Sequence, residues 1–187
     1  MINTFDKTLY KLANQTLSAE WLDPVMYYFS HKYFWIPLYC IVMVFIIQTF
    51  RKKAIVAILA LAMVVVAADR ISSGVMKPYF KRTRPCHEME LTPRYVSNVL
   101  CSDTGSMPSS HAANHFGVAM FMVLLFGYSR KSALFWFGWA AAIAYSRVYL
   151  GVHYPTDVMA GAVLGIAIGW LLYKIYHITV TKIKWLS

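Results

Sequence analysis

Long runs of apolar residues dominate this chain of 187 residues, and short polar segments separate them. A helix needs about 20 mainly apolar residues to cross the hydrocarbon core of a bilayer. Five runs approach or reach that length. The pattern therefore predicts an all-α, multi-pass transmembrane helical bundle of about five spans. These predicted spans are approximately residues 34–50, 54–73, 111–128, 132–151 and 156–176.

Residues 1–32 follow a different pattern. Charged residues interrupt the segment, so it has no continuous apolar stretch of the kind that a cleaved signal peptide carries. Its apolar residues recur every three to four positions, as they do on one face of a helix. We predict an interfacial amphipathic N-terminal helix, and a sixth membrane span is the alternative. The apolar positions are Ile2, Phe5, Leu9, Leu12 and Thr16 or Leu17.

The composition narrows the class of protein. Hydrophobic residues make up 59% of the chain and charged residues only 14%, yet 18 Lys and Arg face 8 Asp and Glu, for a net charge of +10. Such hydrophobicity excludes intrinsic disorder, and so few polar residues argue against a nucleic-acid-binding module. We expect a single membrane domain, residues 1–187, with the bilayer and an anionic molecule as its partners. The oligomeric state stays open.

Basic residues in the loops predict the orientation. Loops that carry Lys and Arg stay on the cytoplasmic side of a membrane. Three such groups alternate along the chain and fall on one side, which places the C-terminus in the cytoplasm and the segments 74–110 and 152–155 outside. A further basic group, on the outer side, breaks this rule; it consists of Lys77, Lys81, Arg82 and Arg84. The cytoplasmic group comprises Arg51, Lys52, Lys53, Arg130, Lys131, Lys174, Lys182 and Lys184.

Two outward segments contain groups suited to phosphate. Lys77 and Arg84 combine a point charge with a planar fork that matches phosphate oxygens, although a solvated basic patch is an equal alternative. Ser109, Ser110 and His111 begin the third predicted span, where free N–H groups and the helix dipole favour an anion. His111 is suited to protonate a leaving oxygen, although a lone histidine there is more often structural.

The third outward segment contains a candidate nucleophile. Arg147, His153 and Asp157 join the fourth and fifth predicted spans. The carboxylate of Asp157 is four residues after His153, so it can hold one imidazole nitrogen and leave the other as a nucleophile. All three segments fall at the same ends of their spans, and ionisable groups near membrane segments are usually functional.

Together these motifs resemble the type 2 phosphatidic acid phosphatase family. The motifs are Lys-x6-Arg-Pro from Lys77, Pro-Ser-x-His from residue 108, and Ser-Arg-x5-His-x3-Asp from residue 146. The resemblance implies a metal-independent lipid phosphatase without a cofactor, acting through a phosphohistidine. It assigns His153 as nucleophile, Asp157 as its orienting acid and His111 as proton donor. The implied phosphate ligands are Lys77, Arg84, Ser109, the backbone at Ser110, and Arg147; many members have Gly where this chain has Ser110.

The resemblance also implies a setting and a range of substrates. It suggests a bacterial cytoplasmic membrane with the active site facing outward, where a lipid phosphate reaches the site while its tail stays in the bilayer. Undecaprenyl diphosphate is the first candidate, and phosphatidylglycerophosphate, phosphatidic acid and lipid A are the alternatives. The five apolar spans argue strongly against a soluble haloperoxidase with the same motifs. A non-catalytic lipid carrier would be expected to lack a catalytic group, and none is missing.

Several further residues carry open questions. Cys86 and Cys101 bracket the outer loop, residues 86–107, and a disulfide between them would stabilise the fold by roughly 3 kcal/mol. His115 follows His111 by one helical turn, but no third metal ligand is evident nearby. Asp69 and Arg70 have no assigned role. A glycine repeat in the fifth span favours helix packing within the chain over a dimer interface; its members are Gly161, Gly165 and Gly169.

Overall fold

The computed structural model describes residues 4–91, 93–94 and 99–183. Those residues form helices joined by turns and loops, with no β-strand among them, so the predicted all-α class is confirmed. Ile2 and Lys184 lie outside the described residues. The α-helices are α1 (Thr4–Lys11), α2 (Asp23–Ser30), α3 (Ile36–Phe50), α4 (Ala54–Asp69), α5 (Lys77–Phe80), α6 (Ser110–Leu125), α7 (Arg130–Tyr149) and α8 (Pro155–Lys182).

Shorter helical turns extend or connect these elements. π-Helical segments follow α1 and α4, and 3-10 turns precede α3 and α4 and interrupt the loop before α6. The π-helical turns are Leu12–Thr16 and Arg70–Met76, and the 3-10 turns are Lys32–Trp35, Arg51–Lys53, Pro85–His87 and Met89–Leu91.

Each predicted apolar run corresponds to one helix, in the order α3, α4, α6, α7 and α8. Arg51 has a φ of 49° and reverses the chain between α3 and α4. After α4 the helical path continues through Arg70–Met76 into α5, so it carries Lys77 beyond the predicted end at residue 73. Among the described residues, the stretches Lys32–Phe80 and Pro155–Lys182 are apolar and long enough to cross a membrane, and Ser110–Leu125 is a shorter apolar helix.

The centre of the bundle is α6, which packs against α4, α7 and α8. Its buried side chains meet those of its neighbours in one hydrophobic core, with Val64 from α4 and Ile143 from α7 among them. Many large apolar side chains of α3 and α4 point away from this core and are exposed. Because three helices pack around α6, the ends of these helices on each side of the bundle lie close to one another.

The close contact between α6 and α8 depends on glycine. A Cβ atom at Gly165 would lie 2.1 Å from the carbonyl oxygen of Ala113, and one at Gly169 would lie 2.3 Å from that of Gly117. No side chain fits at such distances, because non-bonded atoms this close repel strongly. The glycine repeat therefore packs within the chain, as predicted.

The N-terminal segment is helical but broken. The sequence predicted one amphipathic helix, whereas the structure has α1 with its π-helical extension and then α2, which has Pro24 in its first turn. The side of α1 that faces the protein carries Asp6 and Tyr10, both buried. Its apolar side faces away, where Phe5 is 49% exposed, and Leu12 at the start of the π-helical extension is 42% exposed. The segment is thus attached to the protein mainly through polar and aromatic groups.

The glycine contacts predict a position-dependent effect of added methyl groups. We expect Gly165→Ala to lower the free energy of unfolding by about 1–3 kcal/mol, because α6 and α8 must separate to admit the methyl group. Gly138→Ala in α7 is the matched control, since a Cβ there meets nothing within 4 Å. Thermal unfolding in detergent should separate the two variants, and equal melting temperatures would contradict the proposed packing.

Candidate active site

The three motif segments meet at one cavity of about 690 Å³. They arrive from different elements: α5 and the loop after it, the start of α6, the end of α7 and the α7–α8 loop. Of the eight residues predicted to form the site, six line the cavity and two are buried behind its wall. The lining residues are Lys77, Arg84, Ser110, His111, Arg147 and His153; the buried ones are Ser109 and Asp157.

Helix capping explains how the last motif folds. Tyr154 precedes α8 in an extended conformation, and Pro155 occupies the first turn, where its missing N–H costs nothing. The carboxylate of Asp157 turns back and accepts a hydrogen bond from the Tyr154 N–H at 2.9 Å. This capping contact fixes the side chain of Asp157 on the side of the turn that carries His153.

His153 lies between a carboxylate and a guanidinium. Its Nδ1 is 3.5 Å from Oδ2 of Asp157, and its Nε2 is 3.3 Å from a terminal nitrogen of Arg84. A guanidinium only donates hydrogen bonds, so Nε2 is the acceptor and carries the lone pair of the neutral ring. The ring proton then resides on Nδ1, which faces Asp157.

The protonation state of His153 follows from its burial. Burial, assisted by the charges of Arg84 and Arg147 and opposed by Asp157, lowers the pKa of this histidine to about 4. The ring is therefore neutral at neutral pH. A buried neutral imidazole with a lone pair directed into a cationic cavity has the properties of a nucleophile.

Arg84 is held by the outer loop. Its Nε donates to the carbonyl oxygen of Thr104 at 2.9 Å, and a terminal nitrogen donates to that of Val152 at 3.1 Å. Cys86 and Cys101 are joined by a disulfide in the structure, with their Cα atoms 6.3 Å apart. The loop thus returns to the site and provides oxygen atoms that orient the guanidinium.

The other charged residues come from helices. Lys77 begins α5 and is buried, and Arg147 lies in the last turn of α7. A terminal nitrogen of Arg147 donates to the hydroxyl of Ser30 in α2, so the N-terminal segment orients this cation. Three cations from three elements therefore face one cavity.

The two predicted serines have different positions. Ser109 is the N-cap of α6, where its hydroxyl accepts a hydrogen bond from the Ala112 N–H and its own N–H donates to the carbonyl oxygen of Asp157. Its side chain is fully buried and does not line the cavity. Ser110 does line it, and its hydroxyl contacts those of Ser72 and Ser73 at 2.9 Å.

A second, more polar cavity of about 430 Å³ adjoins the first. The two share four lining residues, Ser73, Lys77, Arg84 and Thr104. The cationic groups therefore lie where an apolar cavity meets a polar one.

A family model described as the PAP2 superfamily matches residues 54–180. The chain belongs to the PAP2 superfamily. The matched region contains all eight predicted site residues, and the named phosphatases among its relatives establish the chain as a PAP2 phosphatase.

Two PAP2 relatives and one solved structure show how far the similarity extends. The chain is 34% identical to a lipid A 4'-phosphatase of Bacteroides thetaiotaomicron, over 94% of this chain and 79% of that protein. It is 30% identical to an undecaprenyl-diphosphatase of Sulfolobus acidocaldarius, over 91% of this chain and 78% of that protein. A crystal structure of a transmembrane PAP2-type phosphatidylglycerolphosphate phosphatase from Bacillus subtilis aligns with a TM-score of 0.67 and 25% identity, over 97% of this chain and 88% of that one.

One residue of this site is not specified by the PAP2 motifs. That residue is Arg82, a member of the outward basic group. Its guanidinium donates to Oδ1 of Asp157 at 2.6 Å and stacks over the ring of Tyr154 at 4.2 Å, and its side chain is only 16% exposed. The motif leaves this position unspecified, so no sequence signal distinguished Arg82 from a solvated cation.

Among the residues that the structure describes, we considered two places for a metal ion: the pair His111 and His115, and a cluster around Cys86. The Nδ1 of His115 lies 2.7 Å from the carbonyl oxygen of His111, and its Nε2 lies 3.4 Å from the hydroxyl of Tyr39, so both ring nitrogens have protein partners. Elsewhere in the described ranges, Cys86, His87 and Cys101 approach one another closely, but the two sulfur atoms are bonded to each other. Neither place offers a set of available ligands for an ion.

Proposed function

We propose that this PAP2 phosphatase removes the terminal phosphate of a membrane lipid through a phosphohistidine on His153. One observation carries the proposal: the neutral His153 and the cations Lys77, Arg84 and Arg147 line the same cavity, and much of the remaining lining is apolar. A phosphate ester with a long hydrocarbon tail matches both parts.

The apolar part of the cavity suits the tail. It extends from the charged groups between α3, α4, α6 and α7, where aliphatic and aromatic side chains line it. A hydrocarbon tail in this part of the cavity is shielded from water by protein and lipid, so the hydrophobic effect favours its binding. The lining includes Val42, Ile46, Val65, Val118 and Trp136.

The chemistry has two steps. In the first, Nε2 of His153 bonds to phosphorus, the bond from phosphorus to the lipid oxygen breaks, and that oxygen takes a proton from His111. Asp157 stabilises the positive charge that forms on the imidazole. In the second, water attacks phosphorus and returns a proton to His111, and the phosphorus–nitrogen bond breaks. Inorganic phosphate leaves and His153 is again neutral.

Fixed cations perform the electrostatic part of this reaction. Phosphoryl transfer depends mainly on positioning and on stabilising the charge of the equatorial oxygens. Lys77, Arg84 and Arg147 are placed to bind those oxygens, so the mechanism uses neither a metal ion nor a cofactor. Ser109 caps α6 behind the cavity wall, whereas Ser110 lines the cavity and is placed to contact the phosphate.

The relatives favour an order of candidate substrates. The 34% identity to a lipid A 4'-phosphatase covers nearly the whole chain and makes a lipid A phosphate the first candidate. Undecaprenyl diphosphate, which the family resemblance suggested first, follows because of the 30% identical diphosphatase. The aligned crystal structure keeps phosphatidylglycerophosphate as the third candidate.

The proposed setting is a cytoplasmic membrane crossed by five helices, α3, α4, α6, α7 and α8. The basic turn between α3 and α4, the start of α7 and the end of α8 then lie in the cytoplasm, and the active site faces outward. The exposed apolar side of α1 rests in the outer interface.

The mechanism predicts that one histidine is indispensable. We expect His153→Ala to lower kcat at least about 10³-fold, because the nucleophile is lost. His177→Ala, which removes an exposed histidine near the other end of α8, should retain activity. Phosphate release should be measured in detergent with EDTA, using lipid A, undecaprenyl diphosphate, phosphatidylglycerophosphate and phosphatidic acid. Near-normal turnover by His153→Ala on the best substrate, or strict dependence on added Mg²⁺, would contradict the mechanism.

The buried position of His153 predicts an unusual titration. Because its pKa is lowered to about 4, the ring should stay neutral as the pH falls through the ordinary histidine range and gain a proton only near pH 4. NMR of carbon-labelled histidines in detergent, assigned with His153→Gln, would follow this proton. Protonation of His153 above pH 6.5 would show that the group is not buried as described.

The proposed orientation predicts a labelling pattern. In a Cys40→Ser background, a membrane-impermeant maleimide should label Cys86 and Cys101 on intact spheroplasts only after reduction of their disulfide. Lys131→Cys, in the first turn of α7, is the matched cytoplasmic control and should be labelled only after lysis. Labelling without reduction would argue against the disulfide, and the reverse pattern of access would invert the topology.

A further inference from the structure

We propose that Asp6 and Arg82 are positioning residues that hold Asp157 in the orientation His153 requires. This inference rests on the proposed function, since it concerns the same nucleophile. It makes the N-terminal helix α1 a part of the active site, although no atom of α1 lines the cavity.

Asp6 of α1 carries a carboxylate that is buried against the bundle rather than exposed on the protein surface. It is 1% exposed, and a buried charge is costly unless it is paired and hydrogen-bonded. Its Oδ2 accepts from Arg82 at 2.5 Å and from the hydroxyl of Thr156 at 2.6 Å, and its Oδ1 accepts from the Thr156 N–H at 3.0 Å. Asp6 therefore binds the first turn of α8 directly beside Asp157.

Arg82 connects the two carboxylates. One terminal nitrogen donates to Asp6, and the other donates to both Asp157 and Thr156. The ring of Tyr154 covers one face of the guanidinium. A planar fork with separate donors can bridge two carboxylates at fixed angles, which a lysine ammonium does less well.

The result is a constrained Asp157. Its Oδ1 is occupied by Arg82 and its Oδ2 by the Tyr154 N–H, so the carboxylate cannot rotate freely, and Oδ2 faces the Nδ1 of His153. Arg82 also offsets part of the negative charge that His153 would otherwise experience. Arg82 lines the polar cavity, but its terminal nitrogens are already hydrogen-bonded to protein groups.

The structure provides a matched control in a second ion pair of the N-terminal segment. Asp23 in α2 pairs with Arg94 at 2.6 Å and accepts from the hydroxyl of Tyr149. This pair also attaches the segment to the bundle, but neither member touches Asp157 or lines either cavity. Asp23→Ala therefore weakens the attachment of the segment without removing a contact to Asp157.

The experiment compares Arg82→Gln, Asp6→Ala and Asp23→Ala in the full chain, with phosphate release measured across pH. We expect Arg82→Gln to lower kcat about 10- to 100-fold with KM little changed, because misplaced catalytic groups affect the chemical step. Asp6→Ala should have a smaller effect in the same direction, and Arg82→Lys should recover part of the loss. Asp23→Ala should leave kcat within about twofold even if it lowers thermal stability.

The pH profile distinguishes positioning from mere stability. Without the charge of Arg82, His153 experiences the full carboxylate of Asp157, so the pKa of His153 rises and the acid limb of kcat/KM moves to higher pH, by about one unit or more. Asp23→Ala should not move it. The charged and titratable groups around this pair are Asp6, Lys77, Arg82, Arg84, His111, Arg147 and Tyr154.

A double variant tests whether the two residues act together. If Asp6 works through Arg82, Asp6→Ala combined with Arg82→Gln should lose no more activity than Arg82→Gln alone. Additive losses, an unmoved acid limb, or equal effects of Asp6→Ala and Asp23→Ala would overturn the inference. If Asp6→Ala does not fold, Asp6→Asn compared with Asp23→Asn gives the same comparison. An active His153→Ala would instead overturn the proposed function, independently of these variants.

Discussion

The carboxyl-terminal half of the structure depends on the environment of one residue, Asp157. Its side chain caps α8 through the Tyr154 N–H, pairs with Arg82 and faces His153. Its backbone carbonyl accepts a hydrogen bond from the Ser109 N–H and thereby joins the start of α8 to the start of α6. A buried carboxylate is tolerated only when it is this well paired, so the same contacts that stabilise the helix ends also define the site.

Beyond that polar junction, glycine residues hold α6 and α8 in close contact along their length. Because α6 and α8 touch at the backbone, their first turns can be neither further apart nor rotated without losing the contact at Gly161, where a Cβ would lie 2.4 Å from the Ser109 carbonyl oxygen. The site is therefore anchored on a rigid pair of helices. The remaining charged groups come from elements that pack around this pair.

The helices and most of the candidate site could be predicted from the sequence for physical reasons. Apolar runs long enough to span a bilayer are a strong signal, and the three motifs have fixed spacing at consecutive helix ends. The contacts of Arg82 and Asp6 could not be predicted, because they join residues 76 positions apart and depend on how α1 packs. The same holds for the outer loop, whose carbonyl groups orient Arg84 through backbone atoms that carry no sequence signal.

The two cavities on either side of Lys77 and Arg84 differ in polarity, and so do the two products of the proposed reaction. Hydrolysis produces a dephosphorylated lipid, which partitions into hydrocarbon, and inorganic phosphate, which partitions into water. Because an apolar cavity and a polar cavity share the same cationic wall, each product has a neighbouring cavity that matches its own solubility. The lipid need not vacate the cleft before the phosphate leaves, so release of the two products is separable in space as well as in time.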